Sequence, residues 1–322
     1  MQESRNRVVR RSVTIAAAVT LTAGLAACGD SGGDDAAFPD GDINFIVQAA
    51  AGGGSDMSSR ALAAEMEEIL GVSIIVENRP GASGSTAMQY VADQEPDGYT
   101  IGFVPVEIAM LAHQGFDVEP DDYDFLGQIM LGPGVIAVPA DSEAQTLEDL
   151  IALGQDRALT FANSGAGSIW EAGAVAFGEQ TGAQVQPVPF DGGAPAVAAA
   201  MGGQVDAVVA GAGEAAAAHE DGTLRVLALL HDEEHPLLEG VPTAPSLGYD
   251  DLQFGGWGGI YAPADLSDEV HDVLADAIEE AAKSDGFADA ITPSGSLTVY
   301  KSPEEFTDFV NSEYERFASL LG

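Results

Sequence analysis

Residues Ile43–Asp56 read I-N-F-I-V-Q-A-A-A-G-G-G-S-D, an apolar run that breaks into glycine and then into polar residues. Ile43–Val47 has the length and β-branched content of a short strand. Gly52–Asp56 turns the chain, with Ser55 or Asp56 as the N-cap of a helix. Along that helix Met57, Ala61, Leu62, Met66, Ile69 and Leu70 fall on one face, and Gly71 ends it as a C′ glycine does. Strand, glycine turn and helix make a βα unit, and such units in series imply a parallel sheet.

The unit repeats outward from this stretch. Val72–Val76 is a second strand, Gly81–Ser85 a turn opening a helix through Val91, and Tyr99–Val104 a third strand. A second series follows. Val135–Val138 is a strand, and Thr146 caps a helix through Leu153. Leu159–Ala162 is a strand, and Ser168 with Glu171 forms a capping box. After the strand Val185–Val188, Pro195 opens a helix that ends at Gly202-Gly203. Val205–Val209 and Arg225–Leu230 are strands flanking a short helix around Ala215–Ala218. The tail offers a strand at Gly259–Ala262, an amphipathic helix from Ser267 to Lys283 and a last helix opened by Ser302-Pro303. Two α/β domains are expected, the second (135–230) inserted into the first (42–134 and 231–322), with a ligand cleft between them.

Three glycine-rich turns open onto helices: Ala51–Asp56, Ser164–Ser168 and Asp191–Pro195. A helix N-terminus carries unpaired N–H groups and the positive end of the macrodipole, and glycine lets a ligand approach the backbone. Such turns can cradle a small anion without a charged side chain. Each has a plainer reading as a tight turn or cap, and Asp56 and Ser168 fit caps in particular.

Asp and Glu number 52 against 11 Lys and Arg, a formal charge of −41. That balance disfavours nucleic acid and anionic membrane as partners and suits solubility in a salty habitat. Arg5–Arg11, the apolar stretch Val13–Ala27 and Leu25-Ala26-Ala27-Cys28 resemble the signal peptide and lipobox of bacterial lipoproteins. Residues 1–27 are read as the signal, Cys28 as the lipidated residue, and 28–41 as a flexible tether. Export by the Sec or the twin-arginine route is left open. Cys28 is the single cysteine, so no internal disulfide and no cysteine metal site is expected. His231 and His235 stand at i,i+4, but the zincin order is missing and Pro236 follows, so no metal is assigned. Neither a G-x-S-x-G elbow nor a Walker A pattern occurs, which argues against a hydrolase and an NTPase. No cofactor is expected, and the chain is not read as an enzyme.

Several strings together carry a family resemblance: V-Q-A-A-A-G-G-G-S-D (47–56), V-E-N-R-P-G-A-S-G (76–84), P-D-G-Y-T (96–100), F-A-N-S-G-A-G-S (161–168) and V-P-F-D-G-G-A-P (188–195). In this order they resemble the substrate-binding proteins of tripartite tricarboxylate transporters, the TctC/Bug family, from Ile43 to the C-terminus. The resemblance implies a two-lobed periplasmic-binding-protein fold of type II-like α/β architecture, each lobe a mostly parallel sheet flanked by helices. It implies capture of a small organic carboxylate or related solute between the lobes by a monomer. It also implies delivery to the large and small membrane subunits of the transporter, from an extracytoplasmic position anchored by Cys28. Carried over by position, the ligand-binding candidates of the first lobe are Gly53, Gly54, Ser55, Asp56, Asn78, Gly81 and Ser83. Those of the second are Ser164, Gly165, Gly167, Ser168, Gly192 and Asp206, with Trp170 beside them. Gln48-Ala49 stands where the family has proline and an aromatic, and Phe190-Asp191 where it has tyrosine and a basic residue. The first departure implies a wider pocket. The second loses a cation and gains a carboxylate, which weakens the case for a polycarboxylate and, with Trp170 placed to line the pocket, admits an aromatic acid or an uncharged solute. A solute-sensing module signalling to a membrane partner is the alternative role, with a secreted α/β hydrolase behind it.

Overall fold

The computed structural model describes residues 38–321. The segment read as a signal, Cys28 and most of the expected tether lie outside them. One long strand, β4 (Tyr123–Pro139), runs through both halves of the molecule. Its first part, Tyr123–Pro133, pairs antiparallel with β9 (Gly255–Pro263), and it also pairs with β10 (Leu297–Lys301). Beyond β9 come β3 (Thr100–Pro105), β1 (Ile43–Val47) and β2 (Ile74–Asn78), with β1 parallel to both β3 and β2. The second part of β4, from Gly134, pairs antiparallel with β7 (Ala207–Gly211) and with β8 (Leu224–Leu229). Next to β7 lie β5 (Leu159–Asn163) and β6 (Val185–Pro189), all three parallel.

The parallel βα units anticipated from sequence are present, but antiparallel strands join them, so the sheet is mixed. The reason is strand insertion: β9 lies antiparallel between β3 and β4, and β4 lies antiparallel between β7 and β8 and between β9 and β10.

Side-chain alternation places helices on both faces. Ile43, Phe45, Ile101 and Phe103 point to a core shared with α1 (Gly54–Leu70), α7 (Asp268–Ala282) and α8 (Asp285–Ile291), through Leu62, Met66, Leu274, Ile278 and Phe287. Ile46 and Val104 point the other way, to α2 (Ser85–Ala92) and α9 (Pro303–Leu321), through Met88, Val91, Phe306 and Val310. In the second half Ile136, Val138 and Phe161 pack with α4 (Ile169–Thr181) and α3 (Leu147–Asp156). Val135, Ala137, Val208 and Ala210 face α5 (Gly193–Met201) and α6 (Ala212–Glu220), where alanines let the helices sit close to the sheet.

The halves meet where β4 is barest. Gly132, Pro133 and Gly134 run beside Phe254, Gly255 and Gly256. Gly134 N–H donates to Phe254 O at 2.8 Å, Leu230 N–H to Gly134 O at 2.8 Å, and Phe254 N–H to Leu230 O at 2.9 Å. A side chain on Gly134 would press against the Trp170 ring and Phe254 O, at 2.7 and 2.8 Å from its Cβ.

Candidate solute-binding cleft

A cavity of about 550 Å³ lies between the two halves of the sheet. Its first wall comes from the C-terminal ends of β1, β2 and β3: Gln48, the Gly81–Gly84 turn, Phe103, and Pro105 to Glu107. Its second wall is the turn after β5, Ser164–Ser168, with Ile169 and Trp170 of α4. Met130, Gly256 and Trp257 supply the floor from β4 and β9. Open α/β sheets bind ligands at the carboxyl ends of their strands, as here.

Each turn is held by its own hydrogen bonds. In the first, α1 begins at Gly54 with Gly53 as a N-cap that uses no side chain. Ser55 and Asp56 are therefore inside the helix rather than caps. Ser55 reaches the cavity, and its Oγ accepts from Gln48 Nε2 at 3.0 Å. Asp56 turns inward instead, 3 % exposed. It accepts from Arg60 Nε at 3.0 Å, Gly52 N at 2.8 Å and Asn78 Nδ2 at 2.8 Å. The Arg60 hydrogen bond leads the causes that hold its carboxyl at a pKa of about 2, against the burial that would raise it. Asn78 also donates to Ala49 O at 3.0 Å, so Asp56 and Asn78 brace the turn from behind.

The Gly81–Gly84 turn carries two non-glycine residues with left-handed backbone, Ala82 at φ 47° and Ser83 at φ 55°. Both line the cavity. Such strain persists only where surrounding structure enforces it. In the facing turn, Ser168 is the N-cap of α4, its Oγ accepting from Glu171 N at 3.2 Å. The Glu171 carboxylate accepts from Gly167 N at 2.6 Å, one residue earlier than the reciprocal bond of a capping box. Gln114 Nε2 donates to Gly167 O at 2.9 Å, joining the two walls directly.

Of the residues singled out from sequence, Ser55, Gly81, Ser83, Ser164, Gly165, Gly167, Ser168 and Trp170 line the cavity. Gly53, Gly54, Asp56, Asn78, Gly192 and Asp206 do not. Gly53 and Gly54 shape the turn behind Ser55. Gly192 lies in the third turn, where the Glu214 carboxylate of α6 packs against Gly193 and leaves no room for a side chain there. Burial raises the pKa of Glu214. The third helix start is thus filled by one of the chain's own carboxyls. Asp206 sits at the far end of β7, bound to Arg157 Nη2 at 2.6 Å and to Thr160 N at 2.8 Å. Burial opposes its ionisation, and the Arg157 and Thr160 hydrogen bonds outweigh that, holding its pKa below the carboxylate norm.

Sequence reasoning missed Phe103, Glu107, Gln114, Met130 and Trp257 as lining residues. For Glu107 a signal existed: it is the sole Asp, Glu, Lys or Arg between Asp97 and Asp117, inside the run I-G-F-V-P-V-E-I-A-M-L. Among the described residues, no Lys, Arg or His lines the cavity, and no group of three or more metal-ligand side chains converges. His235 accepts from Leu237 N at Nδ1 and donates from Nε2 to Gly295 O, while His231 pairs with Asp232. No helix of the described residues is long and apolar enough to cross a membrane.

Comparison with known proteins fits this geometry. Residues 58–321 match the model of the tripartite tricarboxylate transporter family receptor, TctC. Protein BugT of Bordetella pertussis is 29 % identical over 293 residues, covering 88 % of this chain and 89 % of BugT. The structure of a TctC solute-binding protein from Polaromonas superposes with a TM-score of 0.82 at 27 % identity, covering 88 % of this chain and 99 % of that one. The structure titled R. palustris Rpa4515 with adipate superposes with a TM-score of 0.73 at 25 % identity, covering 88 % and 97 %. With its two-walled cleft, its mixed α/β sheet and a family match across most of its length, the chain belongs to the TctC family of periplasmic solute-binding receptors, which are not enzymes.

Proposed function

We propose that the chain captures a small organic carboxylate or a related solute between two lobes, 42–134 with 231–322 and 135–230, and delivers it to the membrane subunits of a tripartite transporter. The observation that carries this reading is the pair of facing turns, Gly81–Gly84 and Ser164–Ser168, on opposite walls of one cavity. The hydroxyls of Ser83, Ser164 and Ser168, with the N–H groups of Ala82, Ser83 and Ala166, suit a carboxylate. The adipate complex of an R. palustris relative supports a carboxylate ligand of this size. Closure bends the chain at the bare crossing of Gly132–Gly134 beside Gly255-Gly256, where few side chains resist a change of φ and ψ. Lipidation of Cys28 rests on the sequence pattern, and mass measurement of the mature N-terminal peptide from membranes tests it.

Binding to the folded state raises its stability by RT ln(1 + [L]/Kd), about 2.7 kcal/mol at a hundredfold excess over Kd. One or a few carboxylates in a broad panel are therefore expected to raise the melting temperature of the purified protein. A flat response across carboxylates, amino acids and neutral solutes would sink the reading.

A further inference from the structure

We propose that Glu107 is the counter-ion for a cationic nitrogen on the captured solute. The cleft then selects a small zwitterion, carboxylate at the serine–glycine turns and ammonium at Glu107, over a di- or tricarboxylate. This deepens the receptor reading above and rests on it.

Glu107 lies in the 3₁₀ turn Val106–Ala109 that follows β3, and it is the one ionisable side chain among the described residues lining the cavity. Its carboxyl takes part in no ion pair and no side-chain hydrogen bond among the described residues. The cavity it lines has apolar residues, Phe103, Met130 and Trp257 among them, as well as the uncharged polar Gln48, Ser55 and Gln114. Burial pushes its pKa up, and its own backbone N–H alone works the other way. The side chain is half-buried at the cavity wall, so its unpaired carboxyl is open to a group that enters the cavity. The chain has 52 acidic residues, and the other carboxyls around this site have partners: Glu171 holds Gly167 N–H, Asp56 holds Arg60, and Glu313 holds Arg316.

The chemistry discriminates between solutes by sign. An ammonium arriving beside Glu107 favours the ionised carboxyl and forms an ion pair, stronger in a partly dry cleft than in water. A second carboxylate placed there meets a like group, so that one proton must be shared or taken up. Ammonium capture therefore releases a proton, and affinity rises with pH through the titration of Glu107. Dicarboxylate capture takes one up, and affinity falls with pH. Several titratable groups on the elements packed against this turn are engaged elsewhere, while the buried Tyr261 hydroxyl has no hydrogen-bond partner among the described residues. His113 bonds Tyr314 O, the Tyr314 hydroxyl donates to Glu119, and Tyr261 of β9 is fully buried beneath.

The test is calorimetric titration of the purified protein with matched pairs: 4-aminobutanoate and succinate, 6-aminohexanoate and adipate, aspartate and malate. Each runs at pH values from 5 to 9, in two buffers of different ionisation enthalpy so that protons are counted. The amino member of at least one pair is expected to bind about tenfold or more tightly than its diacid, with proton release. Glu107→Gln should weaken that amino ligand about tenfold or more, while the diacid binds no worse. The wild-type pH trend decides the matter even if the variant melts early. Diacid binding with proton uptake, or an amino ligand indifferent to Glu107→Gln, overturns the proposal and leaves the receptor reading standing. If no member of any pair binds, the zwitterion proposal falls, while the receptor reading stands or falls on the broad thermal panel.

Discussion

Asp56 shows how a residue that looks like a ligand contact can serve the site without touching it. Its carboxylate collects Gly52 N–H, the Asn78 amide and the Arg60 guanidinium, and so fixes the turn that presents Ser55. Asp56→Ala should cost about 1–3 kcal/mol at neutral pH, since it leaves Gly52 and Asn78 without an acceptor. Because the folded pKa is depressed to about 2, this contribution is present above about pH 4 and lost as pH falls towards 2. Urea titrations of the variant and the parent at pH 7 and near pH 2 check it: the gap between them should close in acid. Sequence alone could not separate Ser55 from Asp56. Adjacent helical positions face about 100° apart, and which one meets the cavity depends on where the helix starts. A cap at Ser55 or Asp56 was expected, and the start at Gly54 changed the facing of both. Glu107, by contrast, was visible as a lone charge in an apolar run, with no motif to say that the run would border a cleft.

At the scale of elements, the βα units were legible because glycine, serine and proline punctuate them. β1, β3, β5, β6 and the helices after β1, β2 and β5 lie close to their expected places. The first twelve residues of β4, Tyr123–Gly134, were not legible. Gly127, Gly132, Pro133 and Gly134 read as loop signals, and burial on both faces between Phe125 and Met130 removes the alternation that marks a half-exposed strand. The helix α4 carries a double burden, since its cap Ser168 also lines the cavity. Ser168→Ala should cost about 1 kcal/mol from the lost cap, read as a fall of about 2–4 °C in the melt, and it should weaken solute binding as well. Ser164→Ala, at a residue that caps nothing, should weaken binding with little change in the unliganded melt. Side-by-side melts with and without a responsive carboxylate distinguish the two. A ligand shift unchanged in both variants would remove this turn from the site.

Over the whole molecule, charge governs the response to solvent. With 52 acidic and 11 basic residues, and basic residues tied up in pairs such as Arg157 with Asp206 and Arg79 with Glu77, most carboxylates face one another through water. Self-repulsion of this kind disfavours the compact state until salt screens it, over about 10 Å at 0.1 M. The melting temperature is expected to rise between low salt and about 1 M sodium chloride. A fall over that range would show that specific ion pairs outweigh the repulsion. The same field repels dianions from the cleft mouth more than it repels zwitterions, so the global charge and Glu107 bias capture in one direction.

The chain contains two tryptophans, and both line the cleft, Trp170 from α4 and Trp257 from β9. Indole emission is sensitive to the polarity around the ring, and no third tryptophan adds a background remote from the site. Excitation at the red edge of protein absorbance therefore interrogates the cleft alone. Solute entry and closure become visible as a shift in emission without any attached dye, so that candidate solutes can be ranked by optical titration on the unmodified protein.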